Sequence, residues 1–148
     1  MTTEVEFHTG VADKVGFACR LLRKAYRRGA RVLVTAPAGV LALVDRELWT
    51  FDEREFVPHV RLAPGTSASM VRRSPIWLVE AVDGAAPAGT PDILVNLGAP
   101  APRDLAPFAR LIEVVAAEPD EEDAGRERWR DYRARGLPVV HHGAAARG

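Results

Sequence analysis

The run RVLVTA, residues 31–36, decides the fold class. Between Arg31 and Thr35 it is wholly apolar and β-branched or leucine, with Gly29 before it and Pro37 after it. A short continuous apolar run between turn formers is the pattern of a parallel strand buried on both faces, because an antiparallel strand with one wet face would alternate. Upstream, Val15, Ala18, Cys19, Leu22, Ala25 and Tyr26 recur at helical spacing. Arg20, Arg23, Lys24, Arg27 and Arg28 fall outside that stripe, Asp13 stands at its start, and Gly29 is its stop. Before the helix, EVEFH at residues 4–8 alternates as a strand does. A strand, helix and strand within some 30 residues make a crossover unit, which is right-handed in nearly all proteins.

Downstream, Pro37 opens a predicted second helix through Val40, Leu41, Val44 and Leu48. Residues 51–74 mix charges and turn formers, so a loop is expected there with one short extended piece at FVPHV. IWLVEA (76–81) and DILVNL (92–97) are two further strands across the turn DGAAPAGTP. Pro102 to Ala109 is predicted as a short helix packing Leu105 and Phe108, and RLIEVVA (110–116) as a fifth strand. A last helix is expected over residues 121–135, acidic in its first turn, arginine-rich in its last and ended by Gly136. The pattern predicts an α/β domain of three layers with a mostly parallel sheet, spanning residues 1–142, and a flexible tail at 143–148.

The 148 residues suffice for one core, and 20 basic residues balance 20 acidic ones. Neutrality argues against a surface wholly committed to nucleic acid or anionic lipid, so electrostatic function must be local. A single cysteine, Cys19, excludes an internal disulfide and fits a reducing cytoplasm. No apolar run is long enough to cross a membrane, and no signal peptide opens the chain.

Motifs of chemistry are sparse. The first strand is followed by HTGVADKVG and the second by TAPAGVLALVD, so neither a GxGxxG turn nor a P-loop is present and no nucleotide-binding glycine loop is expected. No GxSxG elbow occurs. His141 and His142 are adjacent, point oppositely on an extended chain and do not share a metal, so they read as tail. His59 reads as part of a loop anchored by Phe56 and Val57 rather than as half of a catalytic pair. No catalytic residue, metal or cofactor is expected.

The loud feature is RERWRDYRARG, residues 126–136. On a helix Arg126, Trp129, Arg130 and Arg133 share one face, while Arg128, Tyr132 and Arg135 share another. Leu137 and Val139 lead back toward the core, so Tyr132 is predicted inward and Trp129 outward. A solvated face closed by Glu127–Arg130 and Asp131–Arg135 pairs is one reading. Base stacking on the exposed ring is another, opposed by Glu127 and Asp131 within the stripe. An acidic peptide with a hydrophobic end fits better, since guanidinium groups grip carboxylates and the ring walls an apolar pocket.

Taken in order, RVLVTA, LVDRELWTFDEREFVPHVRL, DILVNLG, RLIEVVA and RERWRDYRARGLPV resemble the chi subunit family of bacterial DNA polymerase III, from Phe7 to about His141. The resemblance implies a Rossmann-like fold without nucleotide chemistry. It also implies a DNA replication role as a cytoplasmic accessory subunit of the clamp-loader complex, not an enzyme by itself but associated with DNA-directed DNA polymerase activity. Its implied partners are the acidic C-terminal tail of single-stranded DNA-binding protein and, where present, the psi subunit or another clamp-loader component, with DNA reached indirectly. That tail ends in a phenylalanine preceded by acidic residues. The family's tail pocket carries over onto Arg126, Trp129 and Arg130, with Arg133 beside them, and its psi-facing region onto Trp49 and Phe56. The chain departs from better-known relatives in carrying Glu118 and the acidic run Asp120 to Asp123 beside the pocket. The competing readings are a small nucleotide-binding enzyme of the same fold and a module that binds single-stranded DNA directly.

Overall fold

The computed structural model describes residues 2–50, 56–63, 65–82 and 89–143. Seven strands form one sheet: β1 (Glu4–Val11), β2 (Val32–Thr35), β3 (His59–Arg61), β4 (Ile76–Val79), β5 (Ile93–Asn96), β6 (Arg110–Ala116) and β7 (Val139–Gly143). Among the described residues four helices accompany them: α1 (Lys14–Arg27), α2 (Ala38–Thr50), α3 (Ala68–Arg73) and α4 (Pro119–Ala134). The strand order is β3-β4-β2-β5-β6-β1-β7, and every pairing is parallel. This is an open, Rossmann-like three-layer sheet, parallel throughout rather than mostly so.

Side-chain alternation distributes the core between two layers. Val32 and Val34, Ile76 and Leu78, and Ile112 and Val114 face α1 and α2, where Cys19, Leu22, Leu41, Val44 and Leu48 are buried. Leu33, Trp77, Leu94, Leu111 and Val115 face the opposite side and pack with Phe108, from the segment before β6, and with Tyr132 of α4. Burial pushes the Cys19 thiol up to about 12, helped by the Glu47 and Asp13 carboxylates, so at neutral pH the group is a packed hydrophobe. Asp13 caps α1 by accepting a hydrogen bond from the Gly16 amide at 3.0 Å.

Three expectations need correction. Residues 102–109 form turns, not a helix, because Pro107 has no amide proton and its ring opposes the carbonyl four residues back. Leu105 and Phe108 are nevertheless buried, and the Thr3 hydroxyl lies 3.0 and 2.7 Å from their carbonyl oxygens. Within the expected loop, Ala68–Arg73 forms α3. The supposed tail histidines lie in β7, which pairs with β1 from Val5↔Val139 to Thr9↔Gly143. The crossover from β1 to β2 spans two strands, for β5 and β6 lie between them. The expected tail began at Gly143, which is instead the last residue of β7, and residues 144–148 lie outside the described residues. None of the described helices is long and apolar enough to cross a membrane.

Candidate binding cleft on the last helix

Helix α4 begins with Pro119 at its first position and Asp120, Glu121 and Glu122 in its first turn, both favourable at a helix N-terminus. Gly125 lies where α4 crosses β6, and a β-carbon added there would come within 2.9 Å of Val115 Cγ2. The missing side chain lets the helix approach the sheet and sets the floor of what lies beside it.

Contact with β6 divides the arginine ladder. Arg128 donates through Nε to Glu113 Oε1 at 3.0 Å. Arg135 donates to the Pro102 carbonyl at 2.8 Å and pairs with Asp131 at 2.7 Å, as the spacing predicted. Tyr132 is fully buried against Phe7, with ring centroids 5.9 Å apart, as the inward assignment required. Its hydroxyl donates to Glu113 Oε2 at 2.6 Å, and the Asn96 amide donates to the same oxygen at 2.9 Å. Glu113 is wholly buried, and burial pushes its carboxyl above the ordinary carboxylate range. Arg128, Tyr132 and Asn96 pull it back by supplying a charge and donors. The sequence reading missed this carboxylate, although it stands at an inward position between Leu111 and Val115.

The other face of α4 is open. Trp129 is 38% exposed, and the Arg133 guanidinium lies over its ring, 5.7 Å from the centroid. Arg126 and Trp129 line a cleft of about 260 Å³ whose other walls are Phe7, Thr9, Val115, Glu122, Gly125 and His141. Arg130 and Arg133 stand outside that lining. The expected Glu127–Arg130 pair does not form; among the described residues Arg130 has no ion pair, and Arg126 instead meets Asp123 at 3.1 Å. His141 enters because β7 is a strand, and its Nε2 lies 2.6 Å from the Thr9 hydroxyl. The cleft thus has an apolar floor, an aromatic wall and a cation at its rim. Glu122 is the one carboxylate in its lining.

A second aromatic patch lies on the other layer. Trp49 and Phe56, 64% and 47% exposed, pack with centroids 4.8 Å apart. His59 lies beneath both rings, its nitrogens 2.9 Å from the Val57 carbonyl and 2.7 Å from Asp45 Oδ1. The histidine partner is therefore on α2, while Asp52, Glu53 and Glu55 lie outside the described residues. Among the described residues no cluster of His, Cys, Asp or Glu is arranged to hold a metal ion.

Fold and site together define an open parallel α/β protein without a phosphate-binding glycine loop, carrying a basic, aromatic-walled cleft on its last helix. Residues 1–140 match the family described as DNA polymerase III chi subunit, HolC. The chain is 34% identical to DNA polymerase III subunit chi of Pseudomonas aeruginosa, covering 95% of this chain and 96% of that one. It is 30% identical to the Haemophilus influenzae subunit of the same name, over 80% and 79% of the two chains. The chain belongs to the DNA polymerase III chi subunit family, which places it in DNA replication as an accessory subunit of the polymerase assembly.

Proposed function

We propose that this chain is a non-catalytic adaptor that captures the acidic, phenylalanine-terminated tail of single-stranded DNA-binding protein and so tethers the clamp loader to coated DNA. The observation that carries the reading is the cleft itself, with Arg126 beside Trp129 above the apolar floor of Phe7 and Val115. The phenylalanine would occupy that floor, worth roughly 1.5–3 kcal/mol for a buried ring. Guanidinium–carboxylate hydrogen bonds add about 1.5–3 kcal/mol each, set against the cost of ordering the tail. Arg130 and Arg133 extend the cationic edge along which preceding carboxylates would lie. The net is micromolar, salt-sensitive affinity, and several tails on one partner supply avidity.

The acidic run enters with a definite sign. Asp123 occupies Arg126, and Glu122 presents a like charge to the ligand, while Glu121 is drawn away by Lys14 at 2.6 Å. Titrating a labelled acidic peptide ending in phenylalanine tests the reading by anisotropy. Arg126→Ala and Trp129→Ala are expected to weaken binding by roughly tenfold or more, the scale of one charged hydrogen bond or aromatic anchor. Arg130→Ala and Arg133→Ala should weaken it less, whereas Asp123→Asn and Glu122→Gln should strengthen it. No binding, or binding indifferent to all these substitutions, removes the site assignment.

The Trp49–Phe56 patch is proposed as the surface for psi, or for another clamp-loader component where psi is absent. Two exposed rings held by a buried histidine give a preformed apolar anchor. Trp49→Ser is expected to abolish co-purification with that subunit and leave peptide affinity unchanged; loss of both together would contradict two separate surfaces.

A further inference from the structure

Helix α1 carries no acidic residue, and its polar side is basic from Arg20 onward. Arg20, Lys24 and Arg28, at i, i+4 and i+8 and with Arg28 as the C-cap, are all exposed. None of the three forms an ion pair among the described residues. Arg23 and Arg27 add charge beside them but are engaged within the protein. At about 1.5 Å per residue the stripe is about 12 Å long. It does not stop at the helix end. Since all strands are parallel, the C-terminus of α1 and the N-termini of β2 and β4 share one rim of the sheet. There the chain adds Arg72 and Arg73 shortly before β4, and immediately before β2 the half-buried Arg31, which donates to the Gly89 carbonyl at 2.8 Å and lies over the Trp77 ring.

The densest acidic cluster lies away from this stripe, although Asp45 and Glu47 of α2 stand on the helix packed beside α1. Asp120, Glu121, Glu122 and Asp123 crowd the start of α4, which packs on the opposite layer from α1. A chain with no net charge therefore carries a basic stripe on α1 besides the arginines of α4. No aromatic side chain is among the exposed residues of α1, so the stripe offers charge without a stacking platform. That combination complements a phosphodiester backbone read without regard to sequence.

We propose that Arg20, Lys24 and Arg28, continued by Arg31, Arg72 and Arg73 along the rim, form a sequence-independent binding surface for a DNA backbone. The α1 stripe itself lies on the layer opposite to the α4 cleft, so DNA contact there and occupation of the cleft are compatible. A phosphate every ~3.4 Å of axis per strand lets a stripe of this length meet about three phosphates. The contact is weak and depends steeply on salt, as suits a subunit that must not stall on the template.

The test is anisotropy of fluorescent 30-nucleotide single-stranded and duplex oligonucleotides with the full chain at low salt. Binding is expected to be indifferent to base sequence. For three phosphates the slope of log affinity against log salt is on the order of −2 on a single strand and −3 on a duplex. The triple variant Arg20→Glu/Lys24→Glu/Arg28→Glu should lose at least tenfold in affinity and most of the salt slope. Arg126→Ala/Arg130→Ala should bind oligonucleotide within twofold of the parent. If the triple variant melts early, Lys24→Glu and Arg28→Glu separately serve, each with an expected loss of about threefold. The proposal is overturned by an absence of oligonucleotide binding, by affinity unchanged in the α1 variants, or by loss in the α4 variant instead. Binding to anionic vesicles with no binding to either oligonucleotide likewise overturns it.

Discussion

Replacing Glu113 by alanine is expected to destabilise the domain by about 3–5 kcal/mol, the cost of leaving a buried charge without its partner. The partner is Arg128, whose side chain is 10% exposed and whose Nε points at the lost carboxylate. The Tyr132 hydroxyl and the Asn96 amide lose an acceptor at the same moment. Urea unfolding monitored by circular dichroism measures the loss. At roughly 2–4 °C per kcal/mol for a chain of this size, melting should fall by about 10 °C. Arg128→Met, costly in the parent, should become nearly neutral in the Glu113→Ala background, because the charge it removes there is already unpaired. A loss below about 1 kcal/mol, or additive single and double variants, would show that the pair is not coupled.

The second large effect is expected at Gly125. A valine there drives two methyl groups into Val115, a core residue of β6 that is 1% exposed, and the contact is already 2.9 Å at the first added carbon. Overpacking of this kind costs about 1–3 kcal/mol, offset only in part by the gain of roughly 1 kcal/mol for leaving glycine in a helix interior. The consequence reaches further than stability. Helix α4 must lift from the sheet, which shifts Arg126 and Trp129 relative to Phe7 and Val115 and opens the cleft they form together. Gly125→Val should therefore lower acidic-peptide affinity even at temperatures where the variant is fully folded. Unchanged peptide affinity in a folded Gly125→Val protein would separate the cleft from the packing of the helix.

Much of this arrangement is legible locally. Apolar runs such as RVLVTA and RLIEVVA mark buried strands because neither face of them meets water. Helical spacing alone sets Trp129 and Tyr132 only about 60° apart, so the inward Tyr132 and outward Trp129 follow from Leu137 and Val139, which lead the chain back to the core just beyond the tyrosine. What failed locally did so for particular reasons. Residues 102–109 bury the two side chains expected to pack, yet Pro107 denies them a helix. VVHHG carries the polarity of a tail, but an edge strand has one free side and tolerates it.

The binding cleft was half visible. Arg126 and Trp129 declare themselves by residue type, whereas Phe7, Thr9 and His141 are supplied by strands more than a hundred residues apart in the chain. A glycine inside an arginine-rich helix was the available clue that something approaches closely, although it does not say what. By itself the sequence determined most of the element types, the parallel α/β class and the inward Tyr132 against the outward Trp129, because these depend on patterns within a few turns, and the order of its motifs carried the family resemblance. The tertiary structure alone decided the strand order that separates β1 from β2, the docking of β7 on β1, and the division of the arginines. Arg128 is taken up by a buried carboxylate, and Arg126 is left at a cleft. Those outcomes follow from pairing between segments distant in sequence, and local spacing carries no record of which strand becomes whose neighbour.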